Sequence, residues 1–431
     1  MPVVSADWVV PVEEPPIRDG AVAFDESGLI TAVGPATELG RENHFSEAVL
    51  LPGFVNAHTH LEYAVYPGFG DGLEFPAWIA LHIERKRRID FDDMAAIARL
   101  GALECLRSGV TTVGDCSFSG AAAIACADLG LCGTIYLEVF GESADAITDG
   151  FEPMRDRISA RLPDEVRLGI SPHAPYTCSL DLYRECARLG LPLATHLAES
   201  EAETVFLETG AGPWESFSDW LVPPPGTTGI RALADADLLG RHVLAAHCVQ
   251  VDADEIELLA AHDVAVAHCP RSNALLGCGV APLRDLIDAG VRVCIATDSP
   301  ASTPSFDMFD EMRAAVAAAR ARERRPDALT AAEALELATL GGARALELDA
   351  SLGSLAPGKR ADLTVLSLSD TPFLPWEDPV TAAVLGGSPE RVVATLVSGK
   401  PRYEKGGKAW RELIGAASSA RRRLLSQGAR S

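Results

Sequence analysis

A chain of 431 residues, 48% of them hydrophobic, is long enough for one large domain and a smaller one. Its formal net charge of −24 argues against nucleic acid or an anionic membrane surface as a partner. With no uncharged apolar run long enough to span a bilayer and no basic leader at MPVVSADWVV, the chain reads as soluble and cytoplasmic. Its 10 cysteines form no C-x-x-C pair, and several (Cys105, Cys126, Cys186, Cys294) lie in apolar surroundings. Such thiols suit a reducing cytosol and argue against cysteine-ligated zinc.

In chain order, residues 1–50 hold short alternating strands broken by Gly and Pro, as in DGAVAFDESGLITAVG. Candidate strands then fall at 51–58, 110–115, 131–140, 166–173, 191–197, 243–247, 264–268 and 292–298. Between them run stretches of helical period, such as 94–108, 119–129, 179–189, 252–262 and 281–289. Eight near-continuously apolar strands separated by helices predict a parallel sheet covered on both faces, a (β/α)8 barrel over 51–350. Residues 351–411 return to short alternating strands. Neither end has enough strands for a stable sheet alone, so 1–50 and 351–411 are expected to pair into one small β-sandwich. Residues 412–431 read as a basic, peripheral helix with a frayed end.

The polar residues of the barrel segment fall at strand ends. His58 and His60 close the first strand, in GFVNAHTHLE, where positions i and i+2 face the same side. His173 ends the fourth strand; His196, with Glu199 three residues on, lies in the fifth. His247, His268 and Asp298 end the sixth, seventh and eighth. The carboxyl ends of all barrel strands meet on one face, where active sites lie. Taken alone, the H-x-H pair reads equally well as two ordinary histidines at a strand–loop junction. Three imidazoles with one carboxylate (His58, His60, His196, Asp298) form a set typical of zinc or ferrous iron.

With these residues in view, the chain resembles the amidohydrolase superfamily, in its metal-dependent deaminase and chlorohydrolase branch. The stretches that carry the resemblance are LPGFVNAHTHLE, GVTTVGD, SPHAPYTCS, THLAES, HCVQVDADEIELLAAHDVAVAHCPRSN and IATDSPAS, with GSLAPGKRADLTVL near the end. Within that branch it is most similar to deaminases of adenosine-like compounds. The resemblance implies one divalent cation per chain, Zn2+ or Fe2+, held by His58, His60, His196 and Asp298. Many relatives bridge two metals with a carboxylated barrel lysine. The five lysines here are Lys86, Lys359, Lys400, Lys405 and Lys408, so strands two to eight contain none and such a bridge is excluded. A bridge through Glu138 is the alternative, and the expectation is a mononuclear site.

The resemblance also implies roles. Glu199 would shuttle protons between the substrate ring and the leaving amine, its bland reading being a first-turn helix acid. Asp298 would take a proton from water, His247 would orient that water, and His173 would hydrogen-bond the substrate. His268 is left between structure and ligand contact, and His82 and His262 are taken as surface residues.

The segment 63–91 is long enough to wall the barrel mouth, with Phe69, Phe75 and Trp78 as a stacking surface. In methylthioadenosine/S-adenosylhomocysteine deaminases a glutamate in this stretch binds ribose hydroxyls. The matching position, counted from Trp78, is Arg87, in the run RKRR. An arginine there suits a carboxylate, which favours aminodeoxyfutalosine, an adenine nucleoside bearing a benzoate from the menaquinone pathway. A solvated helix face is the competing reading of the same run. Methylthioadenosine, S-adenosylhomocysteine or adenosine are the alternative substrates, and a triazine-type chlorohydrolase the alternative reaction. A non-catalytic barrel scaffold is the contrasting class. The cytidine-deaminase type is absent, because H-x-E with P-C-x-x-C does not occur. The expected partner is a small molecule, with a homodimer left open.

Overall fold

The computed structural model describes residues 2–407 and 409–426. Eight strands form one parallel sheet in sequence order: Phe54–Thr59, Val110–Ser117, Cys132–Val139, Val166–Pro172, Leu193–Leu197, Val243–His247, Ala265–His268 and Arg292–Ile295. Nearly every residue in them is buried, as strands covered on both faces require. The sheet closes on itself where the Asp298 amide donates to the His58 carbonyl oxygen at 3.0 Å and Thr59 bridges Asp298 in parallel. The outcome is the (β/α)8 barrel, with helices such as Phe91–Arg107, Ala121–Leu129 and Ala253–Ala261 packed outside. The eighth strand stops at Ile295, short of the predicted end. Asp298 lies past it with φ of 58°, a left-handed turn that points the chain back across the barrel mouth.

Both ends of the chain build the second sheet. Its strand order is Lys400–Glu404, Val392–Val397, Leu363–Ser367, Asn43–Pro52, Val3–Val9, Ile17–Phe24, Ile30–Pro35. The pair Val3–Val9 and Asn43–Pro52 is parallel, and the other neighbours are antiparallel. The sheet curls until its ends face one another around Val22, Phe24, Leu50, Leu363 and Leu396, forming the small β-sandwich. Where the two ends meet, the Ile30 amide donates to the Lys359 carbonyl at 2.8 Å. Gly28 (φ +82°) sits so close that a Cβ would fall 2.1 Å from the Ser398 carbonyl oxygen, so only glycine fits.

The basic C-terminal segment is seated rather than peripheral. Helix Ala409–Leu425 buries Ala417, Ala420 and Leu424. Its arginines donate inward: Arg423 pairs with the buried Asp93, and Arg421 reaches the Val65 and Pro67 carbonyls and lies over the Phe69 ring. Net basicity suggested a solvated face, yet Arg421 serves as a donor to the loop after the first barrel strand and Arg423 ties the helix to Phe91–Arg107. The expected frayed end at 427–431 lies outside the described residues. Among the described residues no helix is long and apolar enough to cross a membrane.

Candidate active site

Strand alternation puts His58 and His60 on one side of the barrel mouth, with ring centroids 5.1 Å apart. His58 Nε2 and His60 Nε2 lie 3.5 and 3.4 Å from Asp298 Oδ1. Asp298 Oδ2 is occupied by hydroxyl donors, Ser272 at 2.7 Å and Ser302 at 2.8 Å, which turn Oδ1 inward. His196 Nδ1 donates to the His173 carbonyl oxygen at 2.9 Å, so the lone pair resides on Nε2, 3.3 Å from His60 Nε2. His58 Nε2 is buried without a hydrogen-bond partner. Burial favours the neutral form of two of the imidazoles: His60 is pulled down to about 3, partly offset by Asp298, and His196 well below its ordinary value. Burial alone would raise the Asp298 carboxyl, but His58, His247 and His60 hold it well below the usual range. Neutral nitrogens and one carboxylate oxygen, turned toward a common point and unsatisfied by protons, fit a divalent cation.

Beside this nest stand two further buried polar groups, Glu199 and His247. Glu199 is buried, its Oε1 3.6 Å from His247 Nε2. Burial, with Asp298 and Glu203 nearby, pushes its carboxyl well above the ordinary value. His247 Nδ1 bonds Asn273 Oδ1 at 2.9 Å, leaving Nε2 for the cavity. The loop carrying Glu199 is held by Glu203, whose carboxylate accepts from the Ala198 and Glu199 amides at 2.9 and 2.8 Å. Ala198 (φ 52°), His247 (φ 75°) and Asp298 (φ 58°) all adopt the left-handed region. Strain of this kind at three strand ends marks a face where backbone direction is sacrificed to side-chain placement.

Above the nest opens a cavity of about 740 Å³. One wall is the helix Phe75–Lys86; Phe118, Phe140, Trp214 and Trp220 provide further aromatic surface.

Residues 49–402 match the profile of the Amidohydrolase family. The chain belongs to that family. It is 34% identical to a 5'-deoxyadenosine deaminase of Methanothermobacter thermautotrophicus over 82% of this chain and 81% of that one. It is 32% identical to a 5-methylthioadenosine/S-adenosylhomocysteine deaminase of Moorella thermoacetica, over 92% and 93%. A zinc-bound adenosine deaminase from Xanthomonas campestris superposes with a TM-score of 0.86 at 28% identity, covering 98% of each chain. A zinc-complexed atrazine chlorohydrolase from Arthrobacter aurescens gives a TM-score of 0.85 at 22% identity, covering 98% of this chain and 100% of that one, a likeness of fold.

In this amidohydrolase the structure brings His58, His60, His196, His247, Glu199 and Asp298 to one point. His173 lines the same cavity, its Nδ1 bonded to Thr177 Oγ1 at 2.8 Å and its ring 5.0 Å from that of Phe140. Phe75 and Trp78 also line it, with rings stacked 6.1 Å apart. His268 is buried but does not line the cavity, and His262 is half-buried.

Two readings of the wall helix change. His82 is a buried cavity residue, not a surface one: it is 3% exposed, 4.3 Å from the Trp78 ring, and pulled down by burial to about 3. The charged neighbours concealed a helical face of Phe75, Trp78, His82 and Lys86, spaced by three and four residues, and that spacing was the available signal. The run RKRR is not one cluster. Arg85 lies over Phe69 at 3.8 Å, Arg88 bonds the Leu424 and Ser426 carbonyls, and Arg87 is exposed at the rim. Lys86, passed over earlier, enters the cavity. Asn273, Ser272, Ser302 and Glu203 were also missed, because ordinary polar residues carry no spacing signature.

Proposed function

We propose that this amidohydrolase is a metal-dependent hydrolytic deaminase that releases the 6-amino group of an adenine-nucleoside-type substrate as ammonia. The observation that carries the reading is a buried Glu199 carboxyl 3.6 Å from His247 and next to the three-histidine, one-aspartate nest, its burial favouring the protonated form. The deaminase names of the relatives support it.

His58, His60, His196 and Asp298 would hold one divalent cation per chain, zinc or ferrous iron, which would supply Lewis acidity that lowers the pKa of water toward neutral. Glu199 donates its proton to the ring nitrogen as the amine-bearing carbon takes up the water oxygen. The Asp298 carboxylate, held low by the histidines around it, receives the water proton. That proton passes to the amine, which departs as ammonia, while the added hydroxyl returns a proton to Glu199 and becomes the ring carbonyl. His247 Nε2 steadies the oxygen throughout, with Asn273 fixing its ring. The bridging role considered for Glu138 would require it to share His196 with the first site, because Glu138, His173 and His196 form the adjoining group. We therefore keep the mononuclear reading.

Within the class we favour aminodeoxyfutalosine over methylthioadenosine or S-adenosylhomocysteine, because the wall helix ends in cations at the mouth and Glu84 is turned to Arg88 outside the cavity. The test is ammonia release from a panel of these three compounds with 5'-deoxyadenosine, adenosine and a chlorotriazine. Efficient turnover of aminodeoxyfutalosine is expected. Preference for methylthioadenosine would overturn the substrate choice, and chloride release alone would overturn the deaminase reading.

A further inference from the structure

Lys86 ends the wall helix with its side chain in the cavity, and the proposed chemistry gives it no task. Its Nζ stands 3.9 Å from the centroid of the Phe118 ring and 5.3 Å from that of Tyr63. Among the described residues no carboxylate oxygen lies within ion-pair distance of it. Glu62, an obvious candidate, is already engaged by the Ser117 and Ser119 hydroxyls and the Ser119 and Ala121 amides. A half-buried ammonium on an aromatic face, favoured by the nearby Glu138 and Glu62 but in direct ion pair with neither, is placed to receive a ligand anion.

Two further observations define what that anion would be attached to. Phe118 and Phe140, each 38% exposed, present apolar surface inside the cavity, their rings 6.2 Å apart, and Phe140 leads on to His173. Exposed aromatics lining a concavity call for an apolar ligand body. Among the described residues Lys86 is the one cation inside the cavity wall, Arg87 being exposed at the rim and Glu138 and Glu142 lining the same side, so the site suits a monoanion rather than a phosphate dianion.

We propose that Lys86, with Phe118 and Phe140, selects substrates whose group beyond the reacting ring is an apolar body bearing a single carboxylate. The inference rests on the deaminase reading for the identity of the ring, though not for the anion. Lys86 is thus a specificity residue for the site, in place of the rim residue Arg87.

The test is calorimetric binding of two probes to the metal-loaded protein: adenosine carrying a 5'-linked benzoate, and the same compound as its carboxamide. Wild type is expected to prefer the carboxylate by roughly 10- to 100-fold, the range of a charge-assisted hydrogen bond. Lys86→Met and Lys86→Gln should bring that ratio close to one, Lys86→Arg should keep most of it, and Arg87→Gln should change it little. A wild-type ratio near one, or a ratio unchanged in both neutral variants, overturns the proposal. Ammonia is measured on the same samples. A Lys86-dependent preference without ammonia release would leave this inference standing and remove the deaminase reading; ammonia release without preference does the reverse.

Discussion

The two sides of the cavity are built by different means. The nest and its neighbour His247 are carried at strand ends whose register is locked by the barrel, and several of these side chains are aimed by a second residue: Asp298 by Ser272 and Ser302, His196 by the His173 carbonyl, His247 by Asn273. The opposite wall is a helix and loops, held by rings stacked on rings and by guanidiniums over Phe69. The difference teaches that the chemistry is placed by backbone geometry, while ligand choice is placed by side-chain packing that can change without disturbing the nest.

If that division is right, changes in the nest remove turnover and changes in the wall alter affinity. The largest effect is expected for Asp298→Ala and His58→Ala, which should abolish detectable turnover and lower bound metal from about one ion per chain, read by elemental analysis. Two ions per active chain would break the mononuclear assignment. Next comes Glu199→Gln, with metal and fold retained and kcat reduced by roughly 10²- to 10⁴-fold, as for loss of a general acid–base; a wild-type rate would remove Glu199 from the reaction. Smaller again is Phe140→Ala, whose ring is already partly exposed: KM should rise about five- to tenfold, the cost of roughly 1–1.5 kcal/mol of stacking. An equal fall in kcat would blur the contrast between the two sides.

A last effect concerns acid stability. His82 has a folded-state value near 3, below its value in the unfolded chain, so protonation favours unfolding. Its contribution is intact above pH 6.5 and is lost progressively as pH falls toward 3. Denaturant titrations of His82→Gln at pH 7 and pH 5 should show a shallower loss than wild type, by at most about 1.4 kcal/mol per pH unit. Parallel slopes would show that His82 does not titrate on unfolding in this window.

What the sequence disclosed follows the same division. The eight strands were legible because buried parallel strands read as unbroken apolar runs, and the nest was legible because His58, His60, His196, His247 and Asp298 sit where those runs stop. The wall was only partly legible. Phe75 and Trp78 announce themselves as aromatics, but Lys86 looked like one charge among four, and only its helical phase separates it from Arg85, Arg87 and Arg88. Asn273 and Glu203 act through contacts between distant segments or backbone amides, which no local pattern records. The C-terminal helix misled for a related reason: its composition is that of a solvated helix, while Arg421 and Arg423 spend their charge on partners far away in sequence.

The terminal sheet imposes an order on synthesis. Strand Asn43–Pro52 leaves the ribosome early, but its neighbour Leu363–Ser367 follows about 310 residues later, an interval on the order of 15–60 s at ordinary rates of translation. Throughout that time the whole barrel can emerge and close, while the edge of Asn43–Pro52 that faces Leu363–Ser367 still has unpaired backbone donors and acceptors. A nascent chain stalled before residue 363 would therefore hold that strand edge open, a surface of the kind that recruits other strands.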